Sequence, residues 1–265
     1  AVQMPDGGSK AQAESDQTHT DEPSRNTDDV ASRDSDRGQV QAGGPGQATP
    51  APGPTTLPLP TPSAPQSTTE RMKVRFDLAA NLSLSGKFDI VPGKAGSPGT
   101  SGRTYTYRVE VEQGLALDGA LFADAVQQTL NDPKSWAHDG KTFVRTDASS
   151  ADFVIRLASP GTTHRLCGAV GLDTSQDNVS CDAAGFPWVV INAWRWAQGS
   201  PTFGDEMLAY RQMLINHEVG HRLGHGHETA ACQAGGLAPV MMQQTKSLNA
   251  DDGDVCKPNA WPYPS

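Results

Sequence analysis

A chain of 265 residues with a formal charge of −9 has room for one large domain or two small ones. The acidic balance speaks against a nucleic-acid partner, which needs a basic face to neutralise phosphates. No apolar run reaches the roughly 20 residues of a membrane-spanning helix.

Residues 1–70 contain no Phe, Trp, Tyr, Ile or Cys and hold ten of the twenty prolines, with ten acidic and four basic side chains. Such a segment buries too little apolar surface to offset its ordering entropy, so it reads as a disordered acidic and Pro-rich linker. Its stretch "GGPGQATPAPGPTTLPLPTPSAP" favours polyproline II, a semi-rigid spacer. The basic cluster "RMKVRF" at 71–76 reads as a solvated lead-in. Residues 71–265 then form one domain with all sixteen aromatics, long enough to bury a core.

Within that domain "TYTYRVEVE", 104–112, alternates as a half-buried strand does. "DGALFADAVQQTLNDP" comes next, with Leu121, Phe122, Ala125, Val126 and Leu130 at helical spacing and Asp132-Pro133 as a stop. "ADFVIRLAS" at 151–159 and "PWVVINAW" at 187–194 are further strands, the second so apolar that a central place in the sheet is expected. "DEMLAYRQMLINHEVGHRLG", 205–224, is a long helix ending at glycine, a common C-cap residue. Beyond it the chain is irregular, with a short helix expected near "QTKSLN". The order of elements indicates a mixed α/β sheet domain.

The four cysteines, Cys167, Cys181, Cys232 and Cys256, are dispersed, and none lies in a C-x-x-C pair, which weakens a cysteine-held zinc. Two disulfides in an oxidising compartment fit better. Of the three possible pairings, the local closures Cys167–Cys181 and Cys232–Cys256 are favoured.

Four of the seven histidines fall in "NHEVGHRLGHGHE", 216–228. On a helix, His217 and His221 lie one turn and about 40° apart, so both imidazoles leave one face and can close on one zinc ion. Glu218 is rotated by about 100° from His217; it stands outside the coordination set, within reach of a water held there. A catalytic zinc usually takes three protein ligands. Gly224 can turn the chain back in the left-handed region, and His227 is placed to complete H-E-x-x-H-x-x-G-x-x-H. His225 and Glu228 are the neighbouring alternatives. The rival arrangement, a glutamate from a later helix, has no candidate, because no glutamate comes after Glu228.

This extended motif resembles that of the metzincins, zinc endopeptidases with a methionine-bearing turn beneath the metal. "APVMMQQT" supplies such a turn at Met241, or one step later at Met242. More narrowly, "YRVEVEQGL", "NHEVGHRLGHGH", "APVMMQQT" and "CKPNAWP" resemble a domain family of uncharacterised function. That family occurs in secreted or envelope-anchored proteins of Gram-positive bacteria and is usually described as metzincin-like; the resemblance covers about residues 71–265. It implies an α/β (α+β) metzincin-like zincin: a twisted mixed sheet, a long active-site helix and an irregular C-terminal part with the Met-turn. It also implies an extracellular or cell-envelope location. Many metzincins carry a tyrosine two residues after the turn methionine, where Gln243 or Gln244 stands here. The expectation is a monomeric zinc-dependent endopeptidase acting on peptide or protein, with one zinc ion on His217, His221 and His227 and Glu218 as general base. A membrane or wall tether could precede the numbered chain. Two rivals are a catalytically silent zinc-containing binding domain and a zinc hydrolase of non-peptide amides such as cell-wall crosslinks.

Overall fold

The computed structural model describes residues 66–99, 101–182 and 185–265. Of the disordered linker expected over residues 1–70, residues 1–65, with the polyproline spacer, lie outside the described residues. The chain divides into two units, Ala1–Pro60 and Thr61–Ser265. All the described residues belong to the second unit. Its first helix, α1 (Thr68–Met72), spans the boundary expected at 70/71.

The centre is a five-stranded mixed sheet. Strand β2 (Thr104–Glu112) takes the alternating segment and is flanked on one edge by β4 (Phe153–Ala158), in parallel. Its other edge is shared end to end. Strand β3 (Thr142–Arg145) runs parallel to residues 104–107, and β1 (Phe88–Ile90) antiparallel to residues 110–112. Strand β5 (Trp188–Asn192) pairs with β4 in parallel and ends the path. This corrects the expected central place of the segment 187–194: among the described residues it is terminal, extended only by a bridge from Cys181 to Val190. Its apolar composition answers to burial on both faces. Val189 and Ile191 enter the main core, while Val190 packs with Ala158, Cys167 and Cys181 under helix α3 (Pro160–Gly168). The segment's last two residues already belong to helix α4 (Ala193–Gln198).

The main core lies between the Tyr107, Val109, Ile155, Leu157 face of the sheet and two helices. Helix α2 (Gly119–Leu130) takes the expected pattern, and the Asp118 side chain caps it by accepting from the Leu121 N–H at 2.9 Å. Helix α5 (Met207–Arg222) carries the histidines. After it, only a 3₁₀ turn, Ala234–Gly236, is helical among the described residues; the segment 244–249 forms turns and not the expected helix. Two disulfides join the favoured pairs, Cys167–Cys181 and Cys232–Cys256. The first fastens α3 to the bridge beyond β5; the second closes the C-terminal part on itself. No described helix is long and apolar enough to cross a membrane.

Candidate metal centre

Helix α5 ends as its sequence dictates. Gly224 takes φ +97°, its N–H donates to the His221 carbonyl, and the His225 N–H donates to Gly220 O, both at 3.0 Å. This pair of bonds is a Schellman motif, which needs a residue free to adopt positive φ. The chain reverses there and returns His227 to the helix.

Three imidazoles meet at that point. The ligand atoms of His217, His221 and His227 all lie within 4.8 Å of one another, and they form the one cluster of metal-ligating side chains among the described residues. His221 Nε2 and His227 Nε2 are 3.2 Å apart. Two nitrogens bonded to one tetrahedral zinc at about 2.0–2.1 Å stand roughly 3.3 Å from each other, so the spacing fits. The Nδ1 atoms face the other way: that of His217 is 2.9 Å from the Val240 carbonyl, and that of His221 is 2.8 Å from the His225 carbonyl. A carbonyl accepts only from a protonated Nδ1, which leaves Nε2 of each ring as the free donor for a cation.

Burial pushes the His217 imidazole down to about 3, opposed by the bond to Val240 O and reinforced by the neighbouring imidazoles. His221 and His227 are lowered as well, first by burial. The cluster is therefore three neutral imidazoles, the form that binds metal. Glu218, buried beside them, has its carboxyl held well above the ordinary range by loss of solvent and by the nearby Asp182.

The other candidates separate by position. His225 is not in the convergent set; its ring stacks on Trp136 with centroids 4.4 Å apart. Glu228 stands outside the cluster too, its N–H donating to Met241 O. Met241 packs into the main core against Gly220, directly beneath the histidine-bearing turn of α5, whereas Met242 belongs to a small cluster with Ala238, Ala250 and Cys256. Gln244 is buried and spent on structure, donating to Pro239 O and Asn259 O and accepting from Asn259 N. Gln243 is exposed and lines the cleft.

That cleft, about 260 Å³, is bounded by α5, by residues 171–174 and 179–182, and by residues 243–246. Met213 and Leu214, one turn ahead of His217 and Glu218, give it an apolar wall with Val179 opposite. Arg222 pairs with Asp182 and donates to Phe186 O at 2.6 Å, tying the segment that leads into β5 to the end of α5. Sequence reasoning missed Trp136, whose indole N–H donates to Asn216 O at 2.8 Å. It also missed Asn216, whose amide donates to Ala260 O and accepts from Ser135 Oγ, knitting the C-terminal tail to the helix. Neither has a local signal, because each acts through partners far along the chain.

Residues 78–264 match a family profile described as "Protein of unknown function (DUF3152)". No curated protein and no solved structure matches.

Proposed function

The chain belongs to the DUF3152 family, and we propose that it is a zinc-dependent endopeptidase of metzincin-like build, working outside the cytoplasm. One observation carries the proposal: three neutral imidazoles converge on one point, two of them oriented by carbonyls, with a buried carboxyl in the same cleft.

His217, His221 and His227 would hold the ion. Zinc there supplies Lewis acidity, bringing the acidity of a water toward neutrality and polarising a carbonyl. The remaining work belongs to the chain. Glu218 stands outside the ligand set on the next helical position, buried in the same cleft, where a carboxylate can take a proton from a water and hand it on. That suits a base that takes the proton of the attacking water and returns it to the departing amine. Gln243 lines the cleft, and its neutral amide would serve as donor to the developing oxyanion. A peptide would run past the outer side of residues 180–182, the bridge segment that ends the sheet, with a side chain against Met213 and Leu214. Two disulfides suit an oxidising compartment, which agrees with an extracellular or envelope location.

The test is metal analysis of the purified chain together with a peptide-library digest, run beside Glu218→Gln. The expected result is stoichiometric zinc in both proteins and cleavage by the wild type alone. Zinc without cleavage in either would favour a silent binding domain, and unchanged cleavage by Glu218→Gln would remove the role given to that residue.

A further inference from the structure

The fourth histidine of the cluster has no place in the zinc set, yet it is tied down through both its backbone and its ring. His225 lies between Gly224 and Gly226, so it carries the only side chain in a three-residue stretch of otherwise free backbone. Its carbonyl is the acceptor, at 2.8 Å, for the Nδ1 proton of His221. The orientation of one zinc ligand thus depends on a peptide group that two glycines would leave loose. What fixes that group, besides the His225 N–H bond to Gly220 O, is the imidazole itself, laid on the Trp136 indole at 4.4 Å and 22°.

The platform is rigid. Trp136 is 3% exposed, sits in a short 3₁₀ helix, Trp136–Asp139, and meets Tyr263 edge-on. Its N–H bonds the carbonyl of Asn216, the residue before His217. One indole therefore registers both ends of the histidine segment: the helical main chain just before His217 through its edge, and the turn that carries the acceptor of His221 through its face.

We infer that Trp136 and His225 form a positioning pair for the metal centre, an aromatic clamp that sets the orientation of His221 by fixing the turn whose carbonyl binds it. The pair touches neither ion nor substrate. The inference rests on zinc being held by His217, His221 and His227, and is independent of whether peptides are cleaved.

The role distinguishes stacking from ligation. Residues that orient metal-bound histidines are worth about 10–100-fold in affinity. In the full chain, with zinc affinity measured by competition against a chromogenic chelator, His225→Ala should bind about tenfold more weakly. His225→Phe, which keeps a flat ring on the indole and has no donor nitrogen, should stay close to wild type. Both changes are at an exposed position, and a thermal melt confirms the fold. His227→Ala should lose far more affinity than either. Wild-type affinity in His225→Ala would overturn the clamp. So would equal losses in His225→Ala and His225→Phe, because those would make the imidazole nitrogen the active part. A wild-type chain without measurable zinc affinity would bring down the zinc site itself, and the clamp with it.

Discussion

Gly220, one of the two variable positions of the H-E-x-x-H string, is fixed by contact and not by conformation. A Cβ there would press on the Met241 sulfur and come within 2.8 Å of Trp136 Cζ2. Both neighbours are buried, so neither can move aside freely. Gly220→Ala should destabilise the metal-free fold by about 1–3 kcal/mol, the usual cost of overpacking, and weaken zinc binding, both readable from a denaturant melt and a zinc titration. The two glutamines after the methionine turn should separate in the opposite sense. Gln243→Ala should keep fold and zinc and lower the cleavage rate about a hundredfold, the loss typical of one oxyanion donor. Gln244→Ala strips partners from the Asn259 N–H, Asn259 O and Pro239 O, and should show first as a loss of about 1–3 kcal/mol in stability. Sequence placed a glutamine in this region without choosing between them. The choice needs a fold, because it turns on which amide is already consumed by backbone groups fifteen residues away. The histidines were readable because their chemistry is written at fixed helical spacing; Trp136 was not, because its partner is a main-chain carbonyl eighty residues on.

The elements that sequence revealed are those long enough to show a period, β2, α2 and α5, or an apolar run rich in β-branched residues, β4 and β5. Strand β1 has three residues and β3 four, too few for alternation to register, and both exist because β2 offers them an edge. β5 misled on position because two covering helices and a central place produce the same apolar run. Its neighbourhood is where fold and site join. The segment between α3 and β5 forms one wall of the cleft, and the Cys167–Cys181 disulfide closes it. Other ties hold it as well. Arg195 donates to the carbonyls of Asp177 and Asn178, and the Asn178 side chain is bonded to His164 and to Ala80 O. Replacing both cysteines by serine should therefore lower stability by about 2–5 kcal/mol without abolishing the fold. Since no zinc ligand lies in the segment, the metal should remain. The wall would loosen, so the proposed peptidase should show a raised KM with kcat less affected. An equal fall in zinc content would instead make the disulfide part of the metal centre's support.

For the molecule as a whole, the family match begins at residue 78, but the folded unit does not. Arg211, on α5 six residues before His217, is fully buried, and among the described residues it has no carboxylate partner. Its guanidinium is satisfied by carbonyls: Trp196 O at 2.8 Å, Met72 O at 2.7 Å, Val74 O at 2.9 Å and, at 3.4 Å, Arg71 O. Phe76 and Trp196 stack on it. Burial lowers the group to about 10, which still leaves it charged at neutral pH. Three of its four acceptors thus come from the short run that sequence reads as a solvated lead-in; the basic letters of "RMKVRF" conceal that its carbonyls, and not its side chains, do the binding. A fragment of residues 66–265 should accordingly melt like the full chain's second unit and bind zinc equally well. A fragment of residues 78–265 leaves a buried cation short of acceptors and should be less stable by about 3 kcal/mol or more. Arg211→Leu provides the decisive comparison. In the long fragment it should destabilise, because it abandons four carbonyls and two stacked rings; in the short one it should restore stability, because it removes the charge that lost its partners. If Arg211→Leu acted with the same sign in both fragments, the lead-in would be an appendage and not the strap that anchors the histidine helix from behind.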